Sequence, residues 1–324
     1  MIFESLKHKK RTVILDTDIG PDCDDVGAIA VLLSYARELN FPIGGICNCT
    51  SSIYGTATLN ALLSYCGAEQ IPLGGYSKPD FMVDEKFQAY NRYVAEQYSK
   101  AFQSNALSSE DHLPFYRRIL ANAKEKDVII LTIGMFNCLS DLLNSPPDSI
   151  SPLCGKELVE QKVYAVVSMA AKYPEGREFN VVCDAPAAQN VFENCPVPIF
   201  LSDFLLGKSI PTGFSEEDEK AQRSNPIFNA YRLYTMGNPN KENYQNPSLD
   251  LTAVQFACEG EGEIYGLTEA GDLEFYNYDP ARFQTADATR FVPNPNGKIR
   301  FMIKNTSDEV IKRLLEERIY QFNQ

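Results

Sequence analysis

Val13-Ile14-Leu15-Asp16-Thr17-Asp18-Ile19-Gly20-Pro21-Asp22-Cys23-Asp24-Asp25 leads from a short apolar stretch of strand type into a helical one, Val26 to Leu39, whose apolar positions share one side. It reads as a strand–turn–helix unit with a crowded turn, since five of the ten residues from Asp16 to Asp25 are aspartates. Carboxylates held close together raise one another's pKa and repel. A bound cation relieves that repulsion, and oxygen-only ligation selects a hard ion, calcium or magnesium, over zinc or copper. Aspartate is also common in turns and at helix starts, so an Asp-Asp pair alone would mean a solvated, capped helix. Here a strand of buried type delivers the first two aspartates and a helix carries off the last two. That arrangement favours the cation.

Strands and helices alternate along the rest of the chain. Ile43 to Cys47 reads as a second strand and Tyr54 to Tyr65 as a second helix. After a turn at Gly74-Gly75 comes a polar, aromatic stretch of helical type, Phe87 to Phe102, placed outside the core sheet. Phe115 to Ala123 is helical and leads into the clearest strand, Val128-Ile129-Ile130-Leu131-Thr132-Ile133, ending at Gly134. Val163 to Ser168 is a further strand, followed by a loop with Gly176, a helix from Asp184 to Phe192 and a strand from Val197 to Leu201. Beyond Phe204 the pattern loosens: helices Asn225 to Tyr234 and Thr252 to Cys258 flank a Gly/Pro/Asn-rich loop, Gly237 to Pro247. Glu263 to Leu267, Leu273 to Tyr278 and Phe301 to Lys304 read as strands of an antiparallel extension, and Ser307 as the N-cap of a last helix through Tyr320.

Continuous Val/Ile/Leu runs bounded by helices predict an α/β fold with a mostly parallel central sheet covered on both faces. No repeat, low-complexity tract or linker interrupts the chain, so residues 1–324 read as one domain. Ligands in such sheets bind at the carboxyl ends of the strands. That rule selects Asp16 to Asp25, Asn48 to Ser52, Thr132 to Asn137 and Ser168 to Asn180 as segments converging on one crevice.

The 324 residues suit two average domains or one large α/β domain, and the 44% hydrophobic and 23% charged fractions are those of a soluble globular protein. A net charge of -13 argues against binding a nucleic-acid backbone or an anionic membrane surface. No apolar run approaches the length of a membrane span, and Met1 to Arg11 carries its basic cluster after its apolar residues rather than before a secretory core. The nine cysteines are odd in number and contain no Cys-x-x-Cys pair; Cys66, Cys138 and Cys258 stand in apolar contexts. They read as reduced, packed cysteines of a cytoplasmic protein.

The acidic turn resembles the Asp-x-Asp-x-Gly-x-Asp-Asp signature of the inosine–uridine-preferring nucleoside hydrolases. Leu131-Thr132-Ile133-Gly134 with Asn137 resembles that family's Thr-x-Gly-x-x-Thr-Asn turn. Glu178-Phe179-Asn180, with Asp184 and Ala187-Ala188 after it, resembles its Glu-Phe-Asn segment, and Asp250 its C-terminal metal-binding aspartate. Four motifs in the right order form a specific match where each alone would be weak.

The resemblance implies a Rossmann-like core and calcium-dependent hydrolysis of the N-glycosidic bond of a ribonucleoside, with a metal-bound water as nucleophile, in purine or pyrimidine salvage. It implies Asp18, Asp25, Asp250 and the main-chain carbonyl of Thr132 as calcium ligands, with Asp18 as general base. Asp24 and Asp250 would meet ribose hydroxyls, and Glu178 and Asn180 the 5′ and 3′ oxygens. Asp16 would brace the loop. A homodimer or homotetramer is implied as well. The chemistry is consistent with the residue types: cleavage passes through an oxocarbenium-like ribosyl transition state, a carboxylate-held cation activates water, and a neighbouring carboxylate takes its proton. Taken singly, Glu178 would read as surface charge beside Arg177, Asn180 as a turn residue and Asp250 as a helix N-cap.

Three departures from the family pattern stand out. Two extra residues separate Gly20 from Asp24-Asp25, which adds Asp22, a ligand, an acid behind the ligands or a turn residue, with the last two readings favoured. Leu249 stands where many members carry a His that protonates the departing base, and the chain's two histidines, His8 and His112, are not obvious substitutes. The family's Asn after the second strand has no clear counterpart, although Asn48, Ser51 and Ser52 are near. Tyr231, Tyr234 and Tyr244 lie in the segment expected to cover the base, as proton donor, stacking platform or plain packing. Ser248-Leu249-Asp250 fits a bacterial subgroup with a lengthened acidic loop and Ser-x-Asp in place of His-Asp. The alternative to a hydrolase is a non-catalytic ribosyl-binding protein that keeps the metal and lacks the leaving-group acid. A haloacid-dehalogenase-type phosphatase fits poorly, because Gly20 stands where that family wants Thr or Val.

Overall fold

The computed structural model describes residues 2–236, 243–276 and 288–322. Met1, residues 237–242 of the expected loop and residues 277–278 of the expected strand lie outside the described residues.

The first half builds one side of the sheet. β1 (Thr12–Thr17), α1 (Asp24–Leu39), β2 (Ile43–Asn48), α2 (Ile53–Tyr65) and β3 (Leu73–Gly75) follow in βαβ order. Then come α3 (Asn91–Tyr98), α4 (Lys100–Gln103), β4 (Glu110–Asp111) and α5 (His112–Asn122). The chain next returns to the middle with β5 (Val128–Thr132), α6 (Asn137–Asn144), α7 (Gly155–Lys162) and β6 (Val163–Met169). β7 (Glu175–Gly176), α8 (Phe179–Val182), α9 (Ala185–Asn194), β8 (Ile199–Ser202) and α10 (Phe204–Lys208) complete the other side. The last third holds β9 (Pro211–Phe214), α11 (Glu219–Gln222), α12 (Pro226–Met236), β10 (Tyr244–Pro247) and α13 (Leu249–Glu259). It ends with β11 (Tyr265–Leu267), β12 (Gly271–Tyr276), β13 (Ala288–Pro293), β14 (Ile299–Lys304) and α14 (Asp308–Ile319).

The main sheet runs β4-β3-β2-β1-β5-β6-β8-β14-β12-β13-β7, parallel from β4 through β14 and antiparallel beyond, with β11 against β14. This is the mostly parallel sheet with an antiparallel extension that the sequence predicts. From β1 the chain moves outward through β2, β3 and β4, then crosses back to β5 on the opposite flank of β1. β1 and β5 therefore diverge at a topological switch point, where their carboxyl ends leave a crevice.

Side-chain alternation divides the core between the two faces. Val13 and Leu15 of β1, with Ile129 and Leu131 of β5, join the apolar cluster that includes α1 and α13. Ile14, Val128 and Ile130 join the opposite cluster with α5, α6 and α9.

Several stretches depart from their sequence reading: Tyr244–Pro247, expected in a loop, is strand β10 paired with β9, and β14, expected in the antiparallel extension, pairs parallel with β8 as well as antiparallel with β12. Gly74-Gly75 is part of strand β3, paired with β2, rather than a turn. The reason is Phe115 of α5, whose fully buried ring packs against Gly74 of β3 and Gly45 of β2: a Cβ on Gly74 would sit 2.8 Å from it, and one on Gly45 would collide with it. The expected helix from Phe87 to Phe102 is broken in two, because the Ser99 side chain accepts the N–H of Phe102 and starts a new turn.

Because one ring seals two strands, Phe115→Ala should cost about 3–5 kcal/mol of stability in urea unfolding. Gly74→Ala should cost about 1–3 kcal/mol by overpacking.

Candidate metal and substrate site

The acidic turn joins the end of β1 to the start of α1. Gly20 sits there at φ +145°, and a Cβ would collide with the Phe87 carbonyl and lie 2.6 Å from Asn91 Nδ2. Asn91 Nδ2 donates to the Ile19 carbonyl at 2.7 Å, and the Thr17 hydroxyl donates to the Asp25 carboxylate. Asn91 is a positioning residue that the sequence did not reveal, since nothing near it in the chain marks it as facing a loop so distant.

Carboxylate oxygens of Asp22, Asp24, Asp25 and Asp250 lie within 4.8 Å of one another. Asp24, Asp25 and Asp250 are buried, and so is Asp18, which lines the same cavity but is not one of those four. Asp22, read from the sequence as peripheral, thus belongs to the cluster. Burial raises the pKa of all of Asp18, Asp24, Asp25 and Asp250, and their neighbours add to it: Asp25 and Asp22 press on Asp18, and Asp24 and Asp25 on Asp250. Four buried, mutually repelling oxygen donors suit a hard divalent cation. Asp24 and Asp25 also open α1, where the helix dipole favours negative charge.

Asp250 is the second residue of α13, not its N-cap; Ser248 holds that position, and its hydroxyl donates to the Ile210 carbonyl at 2.6 Å. The Asp250 N–H donates to Asp24 Oδ2 at 3.0 Å, so the start of α13 grips the start of α1. At the end of β5, Thr132 is fully buried, and the residue there that lines the cavity is Ile133. Gly134 follows because a Cβ would lie 2.6 Å from the Asp18 N and 2.7 Å from Cys49 Sγ.

Glu178 is not the surface charge its neighbour Arg177 suggests. It is 5% exposed and caps α8. Its Oε1 accepts the Asn180 N–H at 2.8 Å, and Oε2 accepts those of Ala171 and Val181 at 3.0 and 3.2 Å. Burial outweighs these donors and pushes its pKa up to about 7. Asn180 Nδ2 donates to the carbonyls of Met169 and Ile133 at 3.1 and 3.3 Å, tying β6 to β5. Asp16 lies below the turn, buried and also raised to about 7 by burial, with the Tyr116 hydroxyl donating to it at 2.6 Å.

Asp18, Asp22, Asp24, Glu178, Asn180 and Asp250 open into one cavity of about 360 Å³, whose apolar lining includes Phe179, Phe204, Tyr234 and Leu249. A larger hollow of about 610 Å³ on the outer side of α14 is open and holds no such cluster. Of the three tyrosines, Tyr234 reaches the cavity. Tyr231 is fully buried against Gly27, and the Tyr244 hydroxyl donates to Glu219 at 3.2 Å. His8 is exposed, and His112 is held between Asp111 and Asp141 at 2.7 and 3.0 Å, away from the cavity lining. Asn48 ties its own loop, donating to the Ser52 carbonyl at 3.0 Å and accepting from Thr50.

The chain matches the family model of the inosine-uridine preferring nucleoside hydrolases over residues 13–283. No curated protein matches it. Among solved structures it resembles a purine-preferring ribonucleoside hydrolase from Gardnerella vaginalis, at TM-score 0.69 and 15% identity, over 97% of this chain and 99% of that one. An inosine-uridine preferring nucleoside hydrolase from Bacillus anthracis gives TM-score 0.67 and 14% identity, over 97% and 99%. A plant nucleoside hydrolase gives TM-score 0.67 and 17% identity, over 95% and 98%.

Two outcomes follow from the buried charge. A carboxyl whose folded pKa lies above its unfolded value stabilises the fold below that unfolded value, and the contribution is lost as pH rises through the folded pKa. With Asp16 and Glu178 both raised to about 7, the chelated protein should melt at a lower temperature at about pH 8 than at about pH 5. A divalent cation at 100 times its Kd should stabilise the protein by about 2.7 kcal/mol. Asp24→Asn should raise the melting temperature in chelator, by removing one buried charge, and weaken divalent-cation binding in titration calorimetry.

Proposed function

The chain belongs to the inosine–uridine preferring nucleoside hydrolase family, and from that premise we propose that it hydrolyses the N-glycosidic bond of ribonucleosides to ribose and free base. The observation that carries the reading is the meeting of the buried aspartates with Glu178 and Asn180 in one cavity at the sheet's switch point. The donor set suits calcium, held by Asp18, Asp25 and Asp250 with the main chain at the end of β5, and with Asp22 beside them. Such an ion lowers the pKa of water and fixes vicinal ribose hydroxyls.

Asp18 takes a proton from the attacking water. Its burial beside Asp25 and Asp22 raises its affinity for that proton, which suits a general base. A new C1′–O bond forms as the C1′–N bond breaks, and the base leaves after gaining a proton. Asp24 and Asp250 hold the ribose hydroxyls, while Glu178 and Asn180 hold the 5′ and 3′ oxygens. The Phe204, Tyr234 and Leu249 wall packs on the base. With Leu249 in the position of the leaving-group acid, departure relies on that stacking and on the Tyr234 hydroxyl. The expected setting is cytoplasmic nucleoside salvage by a homodimer or homotetramer. Among the described residues no helix is long and apolar enough to cross a membrane.

The same leucine favours one second reading, a ribosyl-binding protein without turnover. A nucleoside panel with free ribose as readout separates the two. Ribose release abolished by chelator and reduced at least about a thousandfold in Asp18→Ala supports hydrolysis. Calcium-dependent ribose binding with no turnover of any nucleoside supports the binder.

A further inference from the structure

Asp16 and Thr132 pair in register on neighbouring strands, β1 and β5. The row continues to Cys47 of β2 on one side and to Ser168 of β6 on the other. Residues in register on parallel strands face the same way. Here they face α5, α6 and α9, because Ile14, Ile130 and Val166, two residues earlier on their strands, lie in the apolar cluster on that side. A thiol, a carboxyl and two hydroxyls thus cross four strands side by side in an apolar core, and all four residues are fully buried.

Three of the four carry a buried atom with no hydrogen-bond partner among the described residues: Asp16 Oδ1, Thr132 Oγ1 and Ser168 Oγ. The Tyr116 hydroxyl serves only the other oxygen of Asp16. Buried polar atoms are normally satisfied, so a run of orphans calls for a ligand. Cys138, in the first turn of α6, closes over the row. A carboxylate oxygen of Asp16 and the sulfurs of Cys47 and Cys138 lie within 4.8 Å of one another. Cys49 lies two residues beyond Cys47 and is fully buried in the same cluster. Its N–H extends the strand by donating to the Thr17 carbonyl at 2.9 Å, and its sulfur sits 2.7 Å from where a Gly134 Cβ would be. All three cysteines are free thiols.

We propose that Asp16, Cys47 and Cys138 bind a structural zinc ion, with Cys49 supplying the fourth ligand. Thiolates disfavour the hard cations that suit the acidic turn, whereas zinc accepts sulfur and carboxylate oxygen together in a closed, four-ligand site. The ion gives the orphaned Asp16 oxygen a partner. The Thr132 hydroxyl, next to Asp16 in the row, gains a charged acceptor in the ligand set, as groups around metal ligands do. Asp16 stands two residues before Asp18, so the ion ties the strand end from which the acidic turn departs to β2 and α6. This second site is separate from the acidic cluster and does not depend on which substrate the cavity takes.

The test is metal analysis of the full-length protein produced in medium supplemented with zinc and, separately, with cobalt in its place. The zinc preparation should carry about one zinc per chain after gel filtration. The cobalt preparation should show the intense ultraviolet absorption of sulfur-to-cobalt charge transfer, which carboxylate ligands do not give. Cys47→Ser and Cys138→Ser should each lose that absorption and the bound zinc, and Cys49→Ser should shift the absorption. Cys66→Ser, whose thiol belongs to the cluster on the opposite face of the sheet, should leave it unchanged. Asp18→Ala, in the acidic turn, should leave it unchanged as well. Protein that is free of zinc, and whose cobalt form lacks thiolate absorption, overturns the proposal without reference to any variant's folding. Zinc that persists in Cys47→Ser and Cys138→Ser but leaves with Asp18→Ala overturns it too, by placing the ion in the acidic cluster.

Discussion

The structure depends on holding several like charges together out of water. Asp18, Asp22, Asp24, Asp25 and Asp250 come from a strand end, a turn and two helix starts, and burial together with neighbouring aspartates makes Asp18, Asp24, Asp25 and Asp250 harder to ionise. Little in a folded chain would favour that arrangement for stability's sake. The surrounding construction makes sense as the means of keeping it in place. Gly20 and Gly134 allow backbone and side chains to close in where a Cβ could not fit. Asn91 and Thr17 fix the turn, and the main chain of α13 holds Asp24.

The same logic governs the Glu178 end of the cavity. Glu178 and Asn180 act first on the protein itself, capping α8 and tying β5 to β6. A carboxyl satisfied by backbone donors is well ordered, so it can present one remaining face to a ligand without moving. Around it the cavity changes character, with cations at Lys172 and Arg177 and an apolar wall at Phe204, Tyr234 and Leu249. Acidic, basic and apolar side chains thus share one crevice.

The sheet was legible because its strands are continuous apolar runs, which only a sheet covered on both faces buries. The acidic turn was legible because its residues are adjacent in sequence. Asp250 could be named through resemblance, yet its position as the second residue of a helix with Ser248 at the N-cap could not. β3 was misread because glycines signal turns, and the reason they form a strand is Phe115, which lies forty residues further on. Taken singly, Glu178 would read as surface charge beside Arg177, because burial is not a local property.

What the sequence by itself determined is the alternation of strand and helix, the strand–turn–helix at Asp16 to Asp25, and the oxygen-rich character of its chemistry. These follow from periodicity and from neighbouring residue types, which act over a few positions. Only the tertiary structure decided that Asp22 joins the cluster, that Tyr234 rather than Tyr231 or Tyr244 faces the cavity, and that Glu178 is buried on backbone donors. Those facts depend on the crossover that returns β5 to the flank of β1 and on loops folding over the strand ends. Distances between residues far apart in the chain are set there and nowhere earlier.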